Sequence, residues 1–134
     1  MSYQENSYKR EFIERNGQTA GLPLFDNASV YLPDWIWSGT GLKAEVYARM
    51  HLKFSDDARE YLRALILLGG RGTDHEVKDE LGWALHIVSA RRNDLKKLGI
   101  VQSYEGNKKP GPYGQPNTIW YVNFKNLYTK INEV

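Results

Sequence analysis

The sequence predicts an α+β chain in which a run of helices is followed by a β-hairpin. Three observations lead there. Apolar residues recur at helical spacing between positions 55 and 98, the helical stretches carry start and stop signals, and two runs rich in β-branched and aromatic residues follow Gly99. At 134 residues with 41% apolar and 25% charged side chains, the chain has the composition of one ordinary globular domain, which excludes a large multidomain enzyme.

Residues 1–54 lack a sustained period, because Gly, Pro, Asn and Asp break their apolar clusters. Tyr8, Phe12 and Ile13 predict a helical stripe over 5–15 that Asn16-Gly17 ends. The stretches 21–25 and 30–37 are interrupted by Pro23 and Pro33, which favours extended arms over helices. Leu42, Val46 and Met50 predict a helical stripe over 42–52. This segment is expected to be a partly irregular N-terminal extension, with the main domain spanning 55–134.

The signals sharpen from Ser55, a good N-cap followed by Asp56-Asp57, whose charges favour the positive end of the helix dipole. Ala58, Tyr61, Leu62, Leu65 and Ile66 form one stripe, and Gly69-Gly70 stops the helix. Thr73-Asp74-His75-Glu76 has the spacing of a capping box, opening a short helix that bears Val77 and Leu81 and ends at Gly82. A third helix carries Ile87, Val88, Leu95 and Leu98 to a stop at Gly99. Strands are expected over 100–104 and 118–124, joined by a long loop whose three Gly and three Pro surround Lys108-Lys109. A short helix over 127–131 is expected to close the chain.

Formal net charge is only +2, too small to indicate a polyanion partner by itself, but its distribution is uneven. Residues 1–85 carry 10 Lys or Arg against 13 Asp or Glu, whereas residues 86–134 carry 8 against 3, so the basic charge is concentrated where the third helix and the hairpin lie. The absence of cysteine excludes disulfides, thiolate metal sites and cysteine nucleophiles, and fits a reducing interior. The longest apolar run, 64–68, is far short of a membrane span, and the N-terminus is polar, so the expected location is cytoplasmic with no membrane partner.

The order helix, helix, turn, helix, β-hairpin, with Val88-Ser89 leading through Leu95 and Leu98-Gly99 into Ile100-Val101, resembles the winged helix-turn-helix superfamily, and within it the small proteins of bacteriophages and mobile elements. Gly72 to Val77 and Trp120 support the resemblance, which covers residues 56–124. It implies a three-helix bundle plus a two-stranded β wing, with an N-terminal extension. It also implies non-enzymatic double-stranded DNA binding in transcription regulation or replication, by a recognition helix over 86–98 and a basic wing over 105–117.

A helical wheel from Val88 refines the assignment. Leu95 and Gly99 fall within about 20° of Val88, Arg92 about 40° to one side and Arg91 about 60° to the other, so both arginines border the core. Their heads are expected to form structural ion pairs with Asp74, Glu76 or Glu80, because an unpaired guanidinium there is costly. The opposite face presents His86, Ala90, Asn93 and Lys97, flanked by Ser89 and Lys96. With Lys108 and Lys109 of the wing, these are the expected DNA contacts: Asn can bridge adenine edges and Lys and Ser can hold phosphates.

Other chemistry falls away. His51, His75 and His86 lack metal-ligand spacing, and although Ser89 can share a helix face with His86, nothing supplies an orienting carboxylate and an oxyanion hole together, so no metal, cofactor or enzymatic activity is expected. Gly39-Thr40-Gly41 and 69–72 are not phosphate loops and are expected to be turns or helix stops. Trp35 and Trp37 are costly to expose, so they are expected to pack on the body of the domain or on a second copy; tight binding by one such module generally requires a homodimer, and the 35–37 region is a candidate for that contact. The alternative is a protein-interaction module gripping its partner through Tyr31, Trp35 and Trp37. A third is single-strand binding by stacking on Tyr104, Tyr113 and Tyr121.

Overall fold

The computed structural model describes residues 32–37 and 41–133. Among them are five helices and two small antiparallel sheets, an α+β architecture. Helix α1 spans Ala44–Lys53, α2 Asp56–Leu67, α3 Asp74–Leu81, α4 Leu85–Lys97 and α5 Phe124–Ile131. The helical expectations for 5–15 and the extended arms over 21–25 and 30–31 lie outside the described residues, as does Tyr31.

Local chemistry sets the helix ends as their residue types dictate. Ser55 Oγ accepts from the Ala58 amide at 3.2 Å. Thr73 Oγ1 accepts from the Glu76 amide at 3.2 Å while Glu76 Oε1 accepts from the Thr73 amide at 2.9 Å, a complete capping box. Gly82 ends α3 in the left-handed region, φ 72°, where a side chain would be strained; this turns the chain sharply into α4.

Helix α2 is the centre of the core, with Ala58, Tyr61, Leu62, Ala64, Leu65 and Ile66 buried. Helices α1, α3 and α4 pack around it, and α5 packs on α1. One continuous apolar cluster joins Leu32, Ile36, Trp37, Val46 and Met50 to the residues of α2, α4 and α5. The expected division at 54/55 therefore cuts through a core, because a ten-residue amphipathic helix such as α1 must bury its stripe on a neighbour. Of the two places expected for the tryptophans, the body of the domain is the one they take: Trp37 is buried at 8% exposure, and Trp35 packs edge-on against Phe124 and Tyr128 with ring centroids 6.4 and 5.1 Å apart. Residues 33–37 form a turn, with Ile36 N and Trp37 N both donating to Pro33 O, in place of an extended arm.

The strands differ from expectation in three ways. Strand β2, Val101–Gln102, pairs with β5, Trp120–Val122, and a third strand, β1 at Arg71–Gly72, adds to the other edge of β5. Only part of 100–104 and of 118–124 belongs to this sheet. The Gly- and Pro-rich connection is also not a simple loop. Lys108–Pro110 (β3) and Pro116–Thr118 (β4) form their own ribbon, in the register Lys108↔Thr118, Lys109↔Asn117 and Pro110↔Pro116. The prolines are tolerated because this ribbon has edges on both sides.

Candidate functional site

Helix α4 and the ribbon border one cleft of about 300 Å³. Leu85 and Arg92 come from α4, Asp74 and His75 from the first turn of α3, residues 116–118 from the ribbon, and Trp120 from the sheet. The capping box places Asp74 and His75 there, since it fixes where α3 begins.

An ionic cluster organises the wall of this cleft. Arg92 Nη2 lies 2.6 Å from Asp74 Oδ2 and Arg92 Nε donates to Asp74 Oδ1 at 3.3 Å, a two-pronged pair with both side chains only 17% exposed. The Arg92 guanidinium sits 4.4 Å from the centroid of the Trp120 ring, and the Lys96 ammonium 5.6 Å from it. Ser89 Oγ donates to Asp74 Oδ2 at 2.8 Å. Beneath the pair lies the Tyr61 hydroxyl, buried without a hydrogen-bond partner; burial first, and the Asp74 charge second, push its pKa well above the usual tyrosine value.

Three of the expected assignments need correction. Arg91 does not reach the acids of α3; it pairs with Asp94 at 3.0 Å and approaches Asp57 of α2 at 3.9 Å, because its side of α4 faces α2. Glu76 pairs with Lys109 instead of with Arg91 or Arg92, Nζ to Oε2 at 2.5 Å. Ser89, expected to face outward, is turned onto Asp74. The apolar stripe of α4 is also narrower than expected: Val88 and Leu95 are buried, whereas Leu98 is 52% exposed and Ile87 lies at the surface.

The remaining candidates lie at the surface. His86, Asn93, Lys96 and Lys97 are exposed and Ala90 is half-buried. Asn93 Oδ1 accepts from Arg92 Nη1 at 2.9 Å, which orients its amide. Lys108 Nζ donates to Thr118 Oγ1 at 3.1 Å, across the ribbon. As neighbours on one strand, Lys108 and Lys109 project to opposite faces, so only Lys109 is turned toward α3. Sequence reasoning missed the role of Trp120 as the surface on which Arg92 stacks. It also missed β1, whose two residues are too short to carry a pattern. On β5, burial pushes the Tyr121 hydroxyl up to about 12, and on β1, opposite it, burial lowers the Arg71 guanidinium.

Among the described residues, no three His, Asp or Glu side chains converge as metal ligands would, and no helix is long and apolar enough to cross a membrane. The class defined by the fold and site is a small α+β protein with a helix-and-ribbon cleft. No family model matches the sequence, and no curated protein matches it.

Proposed function

We propose that the chain is a winged helix-turn-helix protein that binds double-stranded DNA without catalysing a reaction, with α4 as recognition helix and the 105–117 ribbon as wing. The observation that carries this reading is that α4 and the ribbon flank one cleft while the polar face of α4, with His86, Asn93, Lys96 and Lys97, is left exposed. Structural demands claim Arg92, whereas Lys96, Lys97 and Lys108 present ammonium groups at the surface and Asn93 presents an oriented amide. Regulation or replication in a phage or mobile element is the setting that the sequence resemblance suggests. A homodimer on paired half-sites suits a module that covers about 600–1,000 Å² of DNA.

The test is selection from a random duplex library followed by anisotropy titrations at several salt concentrations. Lys97→Ala and Lys108→Ala are each expected to lower the salt slope by about 0.9 and to weaken all sequences alike. Asn93→Ala is expected to cost about 1–3 kcal/mol on enriched sequences alone. A library with no enrichment, together with no salt-dependent binding to any duplex, overturns the reading.

A further inference from the structure

Tyr113 is the most exposed large apolar side chain among the described residues, at 88%. A side chain of this size buries 150–250 Å² when covered, and here it stands bare at the end of the ribbon. The turn beneath it is tightly built. Gly111 N donates to Gln115 O at 2.6 Å, Gly114 N donates to Gly111 O at 3.0 Å, and Tyr113 N donates to Gln115 Oε1 at 3.1 Å. Gly114 takes a φ of 82°, and a Cβ at Gly111 would fall 2.2 Å from Asn117 Nδ2, so neither position accepts a side chain without strain. Pro110, Pro112 and Pro116 restrict the backbone further. A tip this constrained presents its ring at little entropic cost on binding.

The other two tyrosines near the ribbon are differently placed. Tyr104 and Tyr121 pack edge-on with centroids 5.1 Å apart; Gln102 donates to the Tyr104 hydroxyl, and Asn107 donates to the Tyr121 hydroxyl at 2.6 Å. Only Tyr113 extends outward, on a ribbon that also carries Lys108 and Lys109. A planar ring at the end of a ribbon whose strands carry lysines matches a nucleic acid strand, which alternates flat bases with phosphates.

We infer that Tyr113 is a nucleobase contact, its ring stacking on a base of the nucleic acid held by α4 and the ribbon. This rests on the DNA-binding reading and adds to it an uncharged contact that the lysines cannot supply. The test titrates the full-length protein, wild type and Tyr113→Ala, against a labelled duplex and against one of its single strands, over a salt series, with Tyr113→Phe as the conservative variant. Tyr113→Ala is expected to lose roughly 5- to 100-fold in affinity with an unchanged salt slope, because the ring carries no charge, and Tyr113→Phe is expected to restore most of it. Loss on the duplex identifies the source as a paired base step; loss on the single strand alone identifies it as an unpaired base. Equal melting temperatures for all three proteins exclude a folding effect, as the exposed position predicts. Wild type and Tyr113→Ala binding equally on both probes overturns the inference and leaves the DNA-binding reading standing. Failure of the wild type to bind either probe overturns both.

Discussion

Lys109 Nζ lies 2.5 Å from Glu76 Oε2, and this contact fastens the ribbon to the first turn of α3. The same carboxylate caps Thr73 through its other oxygen, so one side chain both starts a helix and holds a strand. A polyanion that takes Lys109 has to displace Glu76, which makes Glu76 a competitor at the proposed interface.

Glu76→Gln separates these two roles, since glutamine still accepts from the Thr73 amide but carries no charge. Both partners are half exposed, so the pair contributes at most about 1 kcal/mol. The substitution is expected to leave the melting temperature nearly unchanged, to raise duplex affinity up to about 5-fold at low salt, and to steepen the salt slope by about 0.9. In a Lys109→Ala background both effects on binding should vanish. Titrations on the four proteins of this cycle check it, and an undiminished Glu76→Gln effect without Lys109 would show that the contact is not the cause.

Arg92 is placed for stability. Arg92→Ala strands the half-buried Asp74 carboxylate and uncovers the Trp120 ring, and is expected to destabilise the fold by about 2 kcal/mol in urea titration. Arg92→Lys should recover less than half of this, because an ammonium cannot make the forked contact to both Asp74 oxygens. An unchanged denaturation midpoint for Arg92→Ala would refute the structural role.

Tyr61→Phe should be neutral or stabilising by up to about 1 kcal/mol. It removes a buried hydroxyl that has no hydrogen-bond partner and keeps the ring that fills the core. A clear fall in melting temperature would show that the hydroxyl is satisfied in solution, for instance by a bound water.

Alkaline pH should destabilise the protein. Burial raises the Tyr121 hydroxyl from 10.0 to about 12 and raises Tyr61 in the same direction, so between those values the folded chain keeps protons that the unfolded chain has lost. Stability is therefore fully present below pH 10 and falls as pH rises toward 12, by about 2 kcal/mol from Tyr121 alone at pH 11.5. Urea midpoints at pH 9, 10.5 and 11.5 measure this. Tyr121→Phe should flatten the decline, and an equal decline in that variant would assign it to other groups.

The helix ends were legible because their causes are local. Ser55, the Thr73 and Glu76 pair, Gly82 and Gly99 each act within one turn of chain, and the stripe of α2 needed only a spacing of three and four residues. The proximity of Arg92 to the core was legible too, from the wheel alone. The choice among its acids was not: Asp74 is 18 residues away, and the wheel of one helix does not say which end of another faces it. The same limit hid the Glu76 and Lys109 contact, which spans 33 residues.

Sequence alone determined the α+β composition, the positions of the caps and turns, and the concentration of basic residues after position 85, since each is a property of neighbouring residues or of a simple count. Tertiary structure decided that Leu32, Ile36, Trp37, Val46, Met50 and Phe54 belong to the core, that β5 has a neighbour on each side, and that Lys109 and Ser89 are engaged while Tyr113 is exposed. These outcomes depend on which surfaces meet when helices and strands pack. Shape, burial and charge pairing across distant segments settle that question, and no local pattern encodes it.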